Sequence, residues 1–132
     1  MIDDFVQRHL PPADAWPALL TDAPELALPA RLNAAAWLID RALATGTADQ
    51  PAVISDAAQI SYAGLADRAA RIARLLVERE GLVPGNRVLL VGRNSVMLAA
   101  AWAGIVWAGG IVVAAMPMLR AGELAKLVDK AQ

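Results

Sequence analysis

The chain has 132 residues, the size of one domain, with a formal net charge of −1 and no cysteine. That balance gives no reason to expect a nucleic-acid or anionic-membrane partner, and without thiols there is neither a disulfide framework nor a thiolate metal site. Apolar residues make up 58% of the sequence, so the main question is what this apolar material covers.

Residues 1–31 read as a proline-punctuated N-terminal arm, with Pro11, Pro12, Pro17, Pro24 and Pro29. The start, Met1-Ile-Asp-Asp-Phe5, lacks the basic stretch and apolar core of a secretory leader, so a cytoplasmic location is the default expectation. A short helix is expected near Asp3 to His9, and the arm is expected to wrap over a larger body. Asp3 and Asp4 are neighbouring carboxylates by position only and read as solvated.

Residues 32–132 carry regular patterns. Asn33 is a good N-cap for a helix from Ala34 to about Ala44, which Gly46 should stop. Ala52 to Ser55 and Gln59 to Tyr62 read as two short strands joined at Asp56-Ala-Ala, a hairpin. The clearest helix follows, Ala63 to Glu80, with an apolar stripe of Leu65, Ala69, Ile72, Ala73 and Leu76. Asp67–Arg71 and Arg74–Glu78 fall four residues apart on its wet side, and Gly81 ends it. Val83-Pro-Gly-Asn86 is a turn, and Arg87 to Val91 a strand.

From Asn94 to Leu119 there is no charged side chain. A run of this length can cross a bilayer. Ala100, Gly104 and Ala108 form a small-residue ridge of the kind that lets membrane helices pack closely. Trp102 and Trp107, however, fall mid-segment rather than at two interfaces. Gly109-Gly110 would cost a continuous helix roughly 2 kcal/mol relative to alanine. Ile111-Val-Val113 is β-branched and prefers a strand, and Pro117 stops any ladder. The reading adopted is a buried helix over Ser95 to Ala108, a C-terminal turn at the two glycines, and a buried strand over Ile111 to Ala115, with no membrane span. The ridge then lets the helix sit close to a sheet. With the preceding strand this makes a βαβ unit. A last helix should begin near Ala121 and run to the chain end.

A helix that is apolar on every face must be covered on all sides, and this chain holds little material to do so. The last helical pattern also runs into Gln132 without a stop signal. Both observations lead to the expectation of an N-terminal piece of a longer protein. The alternative is a small domain that self-associates through its apolar face.

Chemistry-bearing residues are sparse. His9 is the only histidine and has no Ser, Cys or acidic partner at a meaningful spacing. Ser55, Ser61 and Ser95 are the only serines, and none lies in a Gly-x-Ser-x-Gly elbow. Gly104 to Gly110 has the glycine spacing of a phosphate loop but neither its lysine nor its hydroxyl. Arg93-Asn94-Ser95 lies where ligands gather in open α/β sheets, beyond a strand's carboxyl end, but Ser95 reads first as the cap of the following helix and only second as a ligand contact. No residue of the chain is assigned a catalytic, cofactor-binding or metal-ligating role.

Four segments, in order, resemble the N-terminal part of the adenylate-forming superfamily, the acyl-CoA synthetases. Ile60-Ser-Tyr-Ala-Gly-Leu65 is similar to the family's "Leu-Thr-Tyr-x-Glu-Leu". Gly81-Leu-Val-Pro-Gly-Asn-Arg-Val88 is similar to "Gly-Val-x-Pro-Gly-Asp-Arg-Val". Val91-Gly-Arg-Asn-Ser95 stands where the family often has "Leu-Pro-Asn-Ser". Val106-Trp-Ala-Gly-Gly-Ile-Val-Val113, with Pro117 after it, is similar to "Lys-Ala-Gly-Ala-x-x-x-Pro"; Leu119-Arg-Ala-Gly-Glu-Leu124 follows as the usual helix. Pro11-Pro-Ala-Asp-Ala-Trp16-Pro, Asn86 in place of the usual Asp, and Met116-Pro-Met-Leu-Arg-Ala-Gly-Glu-Leu-Ala-Lys126 resemble the benzoate and 2-aminobenzoate branch.

The resemblance implies an α/β fold, a β-hairpin plus a βαβ unit with a partly parallel sheet covered by helices. It also implies that residues 32–132 are the N-terminal part of a large, truncated adenylation domain. The full-length parent would be an AMP-forming acid–CoA ligase using ATP, Mg²⁺ and CoA on a small aromatic acid, by way of an acyl-adenylate. The family's phosphate loop, adenine and ribose motifs and C-terminal lysine lie downstream of the matched region. No family catalytic residue therefore transfers to this chain. It is expected to hold no cofactor, to be inactive alone, and to have the missing remainder of the ligase or a second copy as its partner. The alternative function is a non-catalytic scaffold or interaction module.

Overall fold

The computed structural model describes residues 1–18, 23 and 27–131. Pro24, the neighbouring part of the arm and Gln132 at the expected end of the last helix lie outside these residues.

Helix α1 (Phe5–Arg8) is a single turn, and Ala13–Ala15 forms a 3₁₀ turn. Helix α2 (Ala34–Ala44) starts at Asn33, whose Oδ1 accepts the Ala36 N–H at 3.1 Å. It stops at Gly46, where φ is +75°. There Gly46 N–H donates to the Leu43 carbonyl and Thr47 N–H to that of Ala42, a Schellman ending that satisfies two of the helix's orphan acceptors.

Strands β1 (Pro51–Ile54) and β2 (Gln59–Ser61) form the antiparallel hairpin. Ser55 N–H closes its turn on the Ala58 carbonyl at 2.8 Å. The pairing shifts between Pro51 and Val53, a bulge. Helix α3 (Tyr62–Glu78) follows directly, with Ser61 Oγ accepting the Gly64 N–H at 3.2 Å. Asp67–Arg71 and Arg74–Glu78 pair on its exposed side at 3.5 and 2.9 Å.

Strand β3 (Arg87–Val91), helix α4 (Val96–Trp107) and strand β4 (Ile111–Ala115) are the expected βαβ unit. β3 and β4 run parallel, in register from Arg87↔Ile111 to Val91↔Ala115. The uncharged run thus splits as its glycines require. Gly109, at φ +83°, donates to the Val106 carbonyl, and Gly110 to that of Ile105, a second Schellman ending. Among the described residues, no helix is long and apolar enough to cross a membrane. The strands form two separate two-stranded sheets, β1–β2 and β3–β4.

The core lies where α2, α3 and α4 meet. Ala35, Ile39, Ala69 and Ala103 are buried there, with Ala66, Val106 and Trp107 against them. Such small side chains bring helix axes close, and Gly104 shows how close. A Cβ at Gly104 would lie 2.7 Å from Ile72 Cγ2 and 2.9 Å from the Ala69 carbonyl oxygen. This corrects one expectation: at Gly104 the small-residue ridge of α4 faces α3, not a sheet. Coverage of α4 is incomplete, since Met97 and Trp102 remain exposed. Helix α5 (Ala121–Ala131) is amphipathic and buries none of its residues.

Candidate functional site

Among the described residues there is an apolar groove of about 870 Å³. Leu38 and Ile39 of α2, Val53 and Ile54 of β1, Leu90 and Ala114 of the parallel pair, and Leu98 and Trp102 of α4 line it. Its polar groups include Arg41, Ser55, Tyr62, Asn94 and Ser95. Asn94 and Ser95 reach it because β3 ends beside the N-terminus of α4, the crevice position anticipated for open α/β sheets.

The serines are committed to backbone. Ser95 Oγ accepts the Leu98 N–H at 3.1 Å, so it caps α4. Ser61 caps α3, and Ser55 Oγ donates to the Ala58 carbonyl at 2.8 Å while accepting the Ala58 N–H. Ser55 and Ser95 line the same groove, and among the described residues neither is hydrogen-bonded to a base that would raise its nucleophilicity. His9 is exposed. Its Nδ1 lies 2.7 Å from the Phe5 carbonyl oxygen and its ring stacks 4.2 Å from that of Phe5.

The groove does not suit Mg²⁺ and a nucleotide polyphosphate. Among the described residues its lining has no carboxylate and a single cation, Arg41, which lies over the Trp37 ring at 5.1 Å. Among the described residues, no three His, Cys, Asp or Glu side chains come together to hold a metal ion.

The polar group that sequence reasoning missed is at the other end of β3. Asp3 is not solvated: its side chain is 21% exposed and pairs with Arg87, itself 11% exposed. Asp3 Oδ2 accepts from Arg87 Nη1 and, at 2.9 Å, from Asn86 Nδ2, while Oδ1 accepts the Phe5 N–H at 2.9 Å. The Asp3 N–H donates to the Pro84 carbonyl at 2.8 Å. The Phe5 N–H, the Arg87 guanidinium and the Asn86 amide together hold the Asp3 carboxyl below the usual carboxylate range, against the opposing pull of desolvation. Asp4 behaves as expected, paired with Arg8 in solvent at 3.0 Å.

Asn33 also does more than cap α2. Its Nδ2 donates to the Val106 and Trp107 carbonyls at 2.8 and 3.1 Å, so one side chain satisfies orphan groups at the start of α2 and the end of α4.

A sequence profile of the AMP-binding enzyme family matches residues 40–132. A putative 4-coumarate–CoA ligase-like protein 8 of rice (Oryza sativa subsp. japonica) is 32% identical over 111 residues, which is 83% of this chain and 18% of that protein. A benzoate–CoA ligase of Burkholderia xenovorans LB400 superposes with a TM-score of 0.68 at 28% identity, over 76% of this chain and 20% of that one. The anthranilate–CoA ligase AuaEII, in complex with anthranoyl-AMP, superposes with a TM-score of 0.72 over 79% of this chain and 20% of its own. At 22% identity that likeness shows the fold alone. The fold is that of the N-terminal subdomain of acyl-CoA synthetases, the mixed α/β architecture the motifs implied. The chain spans about a fifth of the length of these relatives. With the profile matched over more than half its residues and the motif order reproduced in the βαβ unit, the chain belongs to the AMP-binding enzyme family, the adenylate-forming enzymes.

Proposed function

We propose that this chain is the N-terminal part of an AMP-forming acid–CoA ligase acting on a small aromatic carboxylate. The observation that carries the reading is the family match over residues 40–132, which coincides with the hairpin, α3 and the βαβ unit. The aromatic substrate class rests on the benzoate ligase and the 4-coumarate ligase-like relative. In the proposed reaction a carboxylate oxygen attacks the α-phosphorus of ATP and releases pyrophosphate. The CoA sulfur then attacks the acyl carbonyl of the adenylate and releases AMP.

No step of that chemistry is assigned to a residue of this segment. Its contribution is architectural. A parallel pair is stable only when extended and covered on both faces, yet Leu89 and Val91 of β3 are exposed. Leu38, Ile54 and Trp102 stand open along the groove. We take the remainder of the ligase domain as the partner that extends the sheet and fills the groove.

The test is acid-dependent exchange of labelled pyrophosphate into ATP, catalysed by the polypeptide of the full open reading frame containing residues 1–132. Benzoate, 2-aminobenzoate and 4-coumarate are the acids to offer. Exchange with none of them sinks the aromatic-acid reading. Residues 1–132 alone are expected to give no heat with MgATP in isothermal titration, and micromolar binding would overturn their purely architectural role. A stable, soluble dimer of the same residues in light scattering would favour a self-associating module instead.

A further inference from the structure

We infer that the turn at residues 83–86 is a receptor for the chain's own N-terminal segment, and that the Asn86 amide selects a carboxylate at position 3 as its occupant. The turn is anchored to the βαβ unit. Gly85 N–H donates to the Gly109 carbonyl at 2.9 Å, and Ile111 N–H to that of Asn86 at 2.8 Å. The same turn takes the N-terminal segment, whose Asp3 N–H donates to the Pro84 carbonyl at 2.8 Å. Gly85 has φ +93°, and a Cβ there would fall 2.1 Å from the Asp3 carbonyl oxygen. Only a residue without a side chain leaves room for residues 2–5 to lie here.

Selection comes from the orientation of the amide. Asn86 Oδ1 accepts the Val83 N–H at 3.0 Å, and a backbone N–H can only donate. Nδ2 is thereby turned to Asp3 Oδ2, to which it donates at 2.9 Å. The amide nitrogen carries donors and no acceptor, so position 3 must offer an acceptor. Asp3 offers two oxygens, and Oδ1 is used by the Phe5 N–H at 2.9 Å. Arg87 Nη1 also donates to Asp3 Oδ2, and to the Gly85 carbonyl. A cation would serve an acid at position 86 as well as one at position 3, so Arg87 does not choose between them. An aspartate at 86 would keep the Val83 contact but set a second carboxylate against the first. Like charges at hydrogen-bond distance oppose ionisation of both, and a segment bearing Asp3 would be turned away.

The experiment is amide hydrogen exchange on the full polypeptide, with tryptic cleavage after Arg8 as a second readout. Asn86→Asp is expected to lower the protection of residues 2–9 by roughly tenfold, the scale of a lost charge-assisted hydrogen bond, and to speed cleavage in step. Exchange over residues 87–91 should not change. Asp3→Asn leaves one donor facing another whichever way its amide turns, and should cost a similar factor. The double variant again sets one carboxylate against one amide, in exchanged places, and should be better protected than either single variant. Asp4→Asn, which breaks only the exposed pair with Arg8, should leave exchange as it is. Unchanged protection in Asn86→Asp, an equal loss over residues 87–91, or losses that add in the double variant would each overturn the matching. If Asn86→Asp does not fold, Asp3→Asn leaves the turn's own residues intact and must by itself release residues 2–9; no release overturns the inference.

Discussion

Replacing Gly104 by alanine tests the helix contact on which the core depends. The added methyl carbon would stand 2.7 Å from Ile72 Cγ2, 2.8 Å from Ile72 Cβ and 2.9 Å from the Ala69 carbonyl oxygen. Carbon atoms prefer roughly 3.5–4.0 Å, so α3 and α4 must move apart by about 1 Å. That shift loosens Ala35, Ile39, Ala69 and Ala103, which meet at the same junction. Overpacking of this kind costs about 1–3 kcal/mol. Alanine's better helix propensity offsets up to about 1 kcal/mol of it. The net expectation is a loss of about 1–2 kcal/mol, or a fall in Tm of about 4–8 °C. Urea and thermal unfolding followed by circular dichroism measure it. Two of the three contacts are with Ile72 Cβ and a backbone oxygen, so adding Ile72→Ala should not restore stability. A neutral or stabilising Gly104→Ala, or full rescue by Ile72→Ala, would refute the backbone approach described here.

Other substitutions probe the remaining joints. Asn33→Ala should lower stability by about 1–3 kcal/mol in the same unfolding assay, because the α2 cap is lost together with the donor to the Trp107 carbonyl and a second donor to the Val106 carbonyl, which keeps the Gly109 N–H. Asn33→Asp keeps the cap but not the donor, and should recover only part of the loss. Gly109→Ala forces a methyl-bearing residue to φ +83° with its Cβ 3.1 Å from Pro84 Cβ, and should cost about 1–2 kcal/mol. The Asp3 pair also has a defined pH signature. Because the folded carboxyl titrates below its ordinary value, its stabilising effect is complete above the unfolded value of about 4. It is lost as pH falls through the lower folded value. Protection of residues 1–9, taken relative to the intrinsic exchange rate at each pH, should therefore fall below about pH 4, and Asp3→Asn should abolish that acid response; an identical acid response in the variant would contradict it.

What the sequence made legible was local. Asn33 and Ser95 each cap the helix that follows, within three residues, and the glycine pair at 109–110 ends α4 by a backbone geometry that needs positive φ. The hairpin, α3 and the βαβ unit follow from periodicity and punctuation of the same short range. What was not legible was the set of contacts between distant residues. Asp3 and Arg87 are 84 positions apart, and Asn33 and Val106 are 73 apart. Neither residue carries a nearby signal of its partner, so Asp3 read as solvated. The direction of the small-residue ridge failed for a related reason: periodicity places Ala100, Gly104 and Ala108 on one face but does not say which element meets it. The groove draws on α2, β1, the parallel pair and α4, so it existed only once those elements were assembled. The family pattern survived because its motifs are turns and caps, which a short sequence can specify.

The most direct test of the account is whether the polypeptide of the full open reading frame makes a thioester. It would be incubated with benzoate, 2-aminobenzoate or 4-coumarate, MgATP and CoA, and the products followed by mass spectrometry. The account predicts aroyl-CoA and AMP in equal amounts, dependent on the acid. AMP formed without the acid, or no thioester with any of the three, would contradict it.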